Sequence, residues 1–235
     1  MKGTLMHSRV VQLPARRIAG IAVLAVMLMA GCSGDDDNPT PVVPPDEPDT
    51  PAEYTARGWE RFEVDNFSGA LADFNAAIFL DRAYGEAHKG QGWTRLSQAT
   101  SRNSMRGAVD SFANAILNEQ DGADVLAGRA AANLGAGGAF FEAAIEDAQE
   151  ALAADAEFVF IHRPSFDVDD LHLIDAFAKA GQADYSGALA TADLVIESGI
   201  EEGNPDTWVV DEVTYDSFNG AVLAHLYKIS EQFSG

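Results

Sequence analysis

Apolar side chains recur at three- and four-residue intervals from residue 52 onward, which is the spacing expected along one face of an α-helix. Many of these positions hold alanine or glycine, and small side chains at a contact allow neighbouring helices to approach closely. The pattern therefore predicts a domain of tightly packed helices over residues 52–235.

Two stretches interrupt the helical pattern. Residues 155–168 contain an apolar, β-branched run that is closed by Pro164, so we expect an extended segment that packs on the helices. We expect Asp167 or Asp169 to cap the helix that follows. Gly203-Asn204-Pro205 breaks the chain again, and residues 211–233 predict a final helix.

Four parts of the helical region share a set of four positions, namely a small residue on one helix and three residues on the next. In chain order the sets are Gly58, Ala70, Phe74 and Ala77; Gly92, Ala108, Phe112 and Ala115; Ala132, Ala144, Ala148 and Ala151; and Ala176, Ala188, Ala192 and Val195. Phe67, Phe141 and Tyr185 supply the aromatic residue expected where the second helix begins. This pattern resembles the signature of the tetratricopeptide repeat (TPR) family over roughly residues 52–198.

The resemblance implies an all-α fold of antiparallel helix-pair repeats, each with a helix A and a helix B, in a TPR-like right-handed solenoid with a C-terminal capping helix. In the second repeat the first spacing is 16 residues instead of 12, so we expect about four inserted residues in the turn near Ser101–Ser104. Arg61 and Arg95 stand where the family has an aromatic residue, and the turn Ala180–Asp184 of the fourth repeat is expected to be long. A generic alanine-rich helical bundle is the alternative.

Residues 1–31 have the pattern of a bacterial lipoprotein signal peptide, with a basic segment (1–17) and an uncharged run of 14 residues (18–31). The run is short for a membrane-spanning helix, which needs about 20 residues. It ends in Leu28-Met29-Ala30-Gly31-Cys32, which resembles the lipobox and implies cleavage before Cys32 and acylation of that residue. An ordinary secretory signal or an uncleaved membrane anchor is the alternative.

Residues 32–51 are interpreted as the lipidated cysteine and a Pro/Asp-rich tether, because six of the nine prolines fall there. By the rule known for enteric bacteria, Ser33 after the cysteine implies the outer membrane. The run Asp35–Asp37 resembles an export signal of surface lipoproteins in the Bacteroidota. We therefore expect a lipid-anchored protein of the bacterial cell envelope, at the outer membrane, on its periplasmic side or at the cell surface.

The net charge of the chain is −22, and removal of residues 1–31 lowers it to −26 because that segment holds four basic residues and no acidic ones. So acidic a surface repels phosphate groups, which excludes nucleic acid as a partner. The sequence contains no nucleophile-elbow, zinc-helix or phosphate-loop motif, so we expect no enzyme activity, no cofactor and no metal site. His88 and His172 occupy equivalent helix A positions, for which we expect packing rather than metal binding.

In the TPR family, helix A residues line a concave ligand groove. The groove positions implied here are Trp59, Trp93, Asn133 and Phe177, together with the cations Lys89 and Arg129. Two tryptophans at equivalent positions would form an aromatic wall that holds an extended peptide or a sugar chain, with a carboxylate near the bases. The alternative is that both tryptophans are core residues and that the helix A register is shifted.

These features predict a membrane-anchored, TPR-like lipoprotein that acts as a protein-binding scaffold or adaptor in the bacterial envelope. We expect a protein or peptide partner of unknown identity, with a glycan as the alternative ligand. The alternative functions are an accessory subunit of an outer-membrane assembly or export machine, and a surface lipoprotein that captures glycans or nutrients.

Overall fold

The computed structural model describes residues 48–232 as four antiparallel helix pairs followed by a C-terminal helix. The predicted signal peptide, Cys32 and most of the tether lie outside the described residues. The repeats are α1 (Pro51–Glu63) with α2 (Phe67–Leu80), α3 (Gly85–Gln98) with α4 (Arg102–Leu117), α5 (Ala123–Ala136) with α6 (Phe141–Ala154), and α7 (Val168–Gly181) with α8 (Tyr185–Ala192), and the last helix is α9 (Phe218–Gln232).

The packing of these helices confirms the predicted all-α solenoid of helix pairs. From α1 to α8, each helix packs mainly on its neighbours in the chain, and the first helices of successive repeats also contact one another. Two short 3₁₀ helices (Gly138–Phe140 and Pro205–Thr207) and one hairpin of β1 (Val209–Val210) and β2 (Val213–Thr214) complete the elements of the described residues. Between residues 48 and 232, no helix combines the length and the apolar character that crossing a membrane requires.

The predicted register places the small residues at the contacts between helices. A Cβ atom at Gly58 of α1 would lie 2.7 Å from Phe74 Cε1 of α2. In repeat 2, a Cβ atom at Gly92 would lie 2.8 Å from Phe112 Cδ1, so the same restriction on side-chain size applies there. A larger side chain at either position would push helix A away from helix B, which explains why the sequence repeats there.

Three details of the repeats differ from the prediction. The residues inserted in repeat 2 mostly lengthen a helix rather than the turn, because α4 begins at Arg102 and the Ser101 hydroxyl accepts a hydrogen bond from Ser104 N–H at 3.2 Å. In repeat 4 only residues 182–184 separate α7 from α8, which is the turn length found between α1 and α2. Val195 lies beyond the end of α8, so helix B of this repeat is short.

Arg61 and Arg95, which replace the expected helix A aromatics, and Lys179 at the equivalent position of repeat 4 each bond to a polar residue on helix B of the same repeat. The paired atoms and their distances are Arg61 Nη1 and Asp73 Oδ2 at 2.8 Å, Arg95 Nη1 and Ser111 Oγ at 2.7 Å, and Lys179 Nζ and Thr191 Oγ1 at 2.8 Å. The helix B partners are buried. A long side chain with an apolar stem and a polar end therefore fills this position in repeats 1, 2 and 4.

The C-terminal helix is shorter than predicted, because α9 begins at Phe218 rather than at residue 211. It covers the end of repeat 4, where Val222, Leu226 and Ile229 are buried against α7 and α8 in a second apolar cluster. A repeat array exposes an apolar surface at its end, so α9 has the capping role that the sequence predicted.

Candidate ligand-binding site

The candidate site lies on the surface formed by α1, α3 and α5, which we call the helix A face. Residues 155–167, which we call the inserted hairpin, connect α6 to α7 and lie against this face. Val159 and Asp167 form an antiparallel bridge, and Phe160 N–H donates to the Phe166 carbonyl at 2.9 Å. The Asp167 side chain caps α7. The predicted extended segment and the predicted cap are therefore both confirmed.

The inserted hairpin buries every second side chain. Phe158 is 2% exposed and Phe160 is fully buried, whereas Val159 is 52% and Ile161 is 78% exposed. Successive side chains of an extended strand point to opposite sides, so one side of the hairpin rests on the helices and the other faces solvent.

Rings from the inserted hairpin cover both predicted groove tryptophans. Phe160 stacks on Trp93, with the ring centroids 3.9 Å apart and the planes at 14°. His162 stacks on Trp59 at 3.9 Å and 2°. Phe166 meets Trp93 edge-on at 5.2 Å. The chain thus supplies to its own helix A face the aromatic contacts that the sequence led us to expect from a ligand.

The tip of the inserted hairpin reaches the turn of repeat 1, where two carboxylates meet two basic side chains. His162 Nδ1 lies 2.8 Å from Glu63 Oε1, and Arg163 Nη2 lies 2.8 Å from Asp65 Oδ1. The Arg163 guanidinium also lies 5.0 Å from the centroid of the Phe62 ring. Both carboxylates are more than half exposed, so the hydrogen bond of His162 and the ion pair of Arg163 fix the position of the tip but stabilise it little.

Trp59 and Trp93 come together on the helix A face in the predicted register, but they are only 6% and 3% exposed. Trp59 Nε1–H donates to Glu86 Oε1 at 3.0 Å, whereas Trp93 Nε1–H has no acceptor among the described residues. Both belong to the main apolar cluster, so they are core residues even though the helix A register is not shifted. A direct role of either indole in ligand binding stays a prediction.

Lys89 is held by two carboxylates, because its Nζ lies 2.8 Å from both Glu86 Oε2 and Asp124 Oδ2. Burial acts to lower the pKa of Lys89, but the attraction and hydrogen bonds of Asp124 and Glu86 outweigh it and hold that pKa above its ordinary value. The ammonium lies 6.0 Å from the Trp59 ring centroid. The charge of Lys89 is therefore paired with these two carboxylates and does not face an open groove.

Arg129 and Asn133 are brought together by Asp147 of α6, since Arg129 Nε and Asn133 Nδ2 each lie 2.9 Å from Asp147 Oδ2. Phe177 packs against the second apolar cluster, with α8 and α9. The predicted site residues therefore fall into three groups: Trp59 and Trp93 with Lys89, Arg129 with Asn133, and Phe177. Their combined role as one ligand groove stays a prediction.

Sequence reasoning missed that the inserted hairpin supplies Phe160, His162 and Arg163 to this face. The run Phe158-Val159-Phe160-Ile161 is apolar at every position, so it indicated an extended segment without showing which of its side chains are buried. Such a run also does not show which surface of the protein the segment covers.

The predicted packing role of the helix A histidines is visible at His88. This residue is buried, and its Nε2 lies 2.9 Å from the Arg82 carbonyl oxygen. His172, at the equivalent position of repeat 4, is half-buried. Within residues 48–232, no three His, Cys, Asp or Glu side chains are grouped so that they could hold a metal ion.

Comparison with known proteins gives a likeness in fold. No protein-family model matches the chain, and no curated protein matches it. A solved structure with a similar fold is that of YrrB, described as a TPR protein with an unusual peptide-binding site. The two structures superpose with a TM-score of 0.51 at 16% sequence identity, over 77% of this chain and 79% of the YrrB chain. At this identity the likeness shows the fold, which is that of a TPR-like array.

Proposed function

We propose that this protein is a lipid-anchored scaffold that binds an extended segment of a partner protein on its helix A face. The observation that carries the proposal is the inserted hairpin, because the face already holds an extended stretch of chain through Phe158 and Phe160. A face that accepts such a segment from its own chain has the chemistry to accept one from a partner. The peptide-binding site that YrrB has on a similar fold supports a peptide ligand.

We place the protein in the bacterial cell envelope, held at the outer membrane by acyl chains on Cys32. The support is the lipobox-like sequence, the 14-residue apolar run before it and the Pro/Asp-rich tether after it. The folded domain begins where the tether ends, because Thr50 caps α1 and the helix starts at Pro51. A proline-rich tether acts as a semi-rigid spacer, which would hold the helix A face away from the lipid surface.

A protein partner is favoured over a glycan, because the segment that covers the faces of Trp59 and Trp93 is itself a stretch of polypeptide. The charged side chains of this region support a scaffold rather than an enzyme. Lys89 is engaged with Asp124, and Arg129 is engaged with Asp147, as structural ion pairs. Membership of an outer-membrane assembly or export machine would be a specific form of the same scaffold role.

Site-specific photo-crosslinking in the native host tests the proposal. A photoreactive residue at Ile161, which is 78% exposed on the hairpin over the helix A face, should yield a discrete adduct with one protein. The matched control is Phe79, which is 84% exposed on α2, a helix B. We expect no such adduct from Phe79. Equal adducts from both positions, or none from Ile161, would contradict binding at the helix A face.

A further inference from the structure

We propose that the inserted hairpin is an internal ligand of the helix A face, and that a partner segment of the same chemistry displaces it. The inference rests on the proposed function and deepens it, because it names the class of segment that binds. That segment is extended, carries aromatic side chains at alternate positions and ends in basic residues. The face is closed until such a segment is present.

The inserted hairpin is not needed to connect one helix pair to the next. The links 81–84 and 118–122, which join α2 to α3 and α4 to α5, are four and five residues long. The equivalent link from α6 to α7, residues 155–167, is 13 residues long. Because α6 and α7 pack together like the other neighbouring helices, the added length supplies a segment to the helix A face rather than bridging a gap.

The inserted hairpin is attached to the helix A face by side chains rather than by a backbone ladder. The backbone hydrogen bonds made by Phe160, Arg163 and Phe166 join these three residues to one another. The contacts with the helices are the buried rings of Phe158 and Phe160 in the main apolar cluster, the stacked ring of His162, and the polar contacts of the tip with Glu63 and Asp65. Contacts of this kind can be replaced by equivalent contacts from another chain without unfolding any helix.

Departure of the inserted hairpin would expose two indoles and several phenylalanine rings, so the open form is rare while no ligand is present. A ligand shifts such an equilibrium only if it binds the open form much better than the closed form. A partner meets this condition when it places rings on Trp59 and Trp93 as His162 and Phe160 do. The displacing segment therefore needs aromatic or imidazole rings at alternate positions.

The carboxylates of Glu63 and Asp65 add a second requirement. When the inserted hairpin leaves, these carboxylates lose His162 and Arg163, in a protein whose net charge is already −22. A partner that brings a basic side chain two or three residues after its last phenylalanine restores the same pairs, as in the order Phe160, His162, Arg163.

The test uses the full chain, purified in detergent, with a fluorescein-labelled peptide of residues 156–167 as the probe. The variant His162→Ala/Arg163→Ala removes the tip contacts and keeps the buried phenylalanines. We expect the peptide to bind this variant about tenfold more tightly than the wild type, because a loosened hairpin raises the fraction of open molecules. Ile161→Ala is the matched control, since that side chain is 78% exposed and should leave the affinity at the wild-type value.

Two altered peptides test the class of ligand. Peptides that carry Phe160→Ala or Arg163→Glu should bind the His162→Ala/Arg163→Ala protein about tenfold more weakly than the unaltered peptide. Equal affinity for all three peptides would overturn the proposed chemistry. Equal binding of the unaltered peptide to the wild type and the variant, or no binding to either, would overturn the internal-ligand proposal.

Hydrogen exchange of the wild type gives a readout that does not depend on how well a variant folds. The amides of Phe160 and Phe166, which are bonded within the inserted hairpin, should exchange by local opening and faster than the amides of α3. Exchange of both sets only through global unfolding would show that the hairpin is a permanent part of the core, and would overturn the proposal. That result would still allow a partner segment to bind over the exposed side of the inserted hairpin, which an adduct at Ile161 detects, so the two proposals fail separately.

Discussion

The rings of Trp93 and Phe160 stack face to face, with centroids 3.9 Å apart and planes at 14°. Trp93 lies on α3 in repeat 2, and Phe160 lies in the link between repeats 3 and 4. Repeat arrays are usually stabilised by contacts between neighbouring repeats, so this stack adds a connection between parts that are not neighbours. It turns the helix A face of the first two repeats into an interior surface.

The first prediction concerns Trp93, which packs against Phe112 as well as Phe160. Trp93→Ala should lower the free energy of unfolding by about 3–5 kcal/mol, because it removes a buried aromatic side chain and leaves a cavity. Leu117→Ala is the control, since Leu117 is 80% exposed and its loss should change stability by about 0.5 kcal/mol or less. Urea unfolding followed by circular dichroism measures both. Equal stabilities would mean that solvent already reaches the Trp93 ring.

The second prediction concerns the contact between helix A and helix B in repeat 2. Ala108 is fully buried, so Ala108→Leu forces a larger side chain into a tight contact and should cost about 1–3 kcal/mol. Ala154 is exposed at the end of α6, so Ala154→Leu should cost about 0.5 kcal/mol or less. Thermal midpoints of the two variants test the register directly, and equal midpoints would contradict it.

The helix pairs could be predicted from the sequence because their contacts depend on residue size at fixed spacing. Gly58 and Gly92 each leave room for one phenylalanine ring, and that requirement is visible in the sequence alone. The partner of Arg61 could not be predicted in the same way. Periodicity shows which side of a helix faces inward, but it does not show that Asp73 on the next helix supplies the carboxylate.

The candidate site was only partly predictable. The apolar, β-branched run around Phe160, closed by Pro164, indicated an extended segment packed on the repeats, which the structure confirms. The direction in which a 13-residue link crosses the helices depends on contacts between residues far apart in the chain. No local pattern could therefore show that His162 would reach Trp59. The sequence alone left Trp59 and Trp93 as candidates for an exposed ligand groove.

The third prediction concerns Asp147, whose carboxylate is 5% exposed and accepts hydrogen bonds from Arg129 and Asn133. Asp147→Ala should cost about 1–3 kcal/mol, because it leaves the buried Asn133 amide without its acceptor and the guanidinium without its partner. Glu63→Ala removes a carboxylate that is 51% exposed and should cost about 0–1 kcal/mol. Urea unfolding at low and high salt measures the stability loss of each variant. A larger loss for Glu63→Ala would contradict this order.

The fourth prediction concerns the anchor. Cys32→Ser should prevent acylation and release the protein from the membrane fraction, because stable lipid anchoring needs more than one acyl chain and no other cysteine is present in the chain. Metabolic labelling with a fatty acid and membrane fractionation measure both effects. Recovery of uncleaved Cys32→Ser protein in membranes at unchanged yield would show instead that the apolar run 18–31 is the anchor.

The last prediction concerns Asp170 in the first turn of α7, whose carboxylate accepts a hydrogen bond from Asp167 N–H at 3.0 Å. Burial, helped by the charges of Asp167 and Asp169, raises the pKa of Asp170 from 3.8 to about 6, against the lowering effect of that hydrogen bond. A raised pKa means that the folded protein binds the proton more tightly than the unfolded chain does. The charged carboxylate therefore opposes folding, with no effect below about pH 4 and the full effect above about pH 6.

Asp170→Asn removes that charge and keeps an oxygen that can accept the Asp167 N–H. At pH 7.5 the variant should be more stable than the wild type by about 1 kcal/mol. Relief of desolvation in this half-buried site contributes about 1–2 kcal/mol, and loss of the favourable charge at the helix N-terminus offsets about 0.3–1 kcal/mol. At pH 4 the wild-type carboxyl is neutral in the folded protein, so the two proteins should unfold at nearly the same urea concentration. A variant that is less stable than the wild type at pH 7.5 would show that the helix N-terminus, rather than burial, dominates the energy of Asp170.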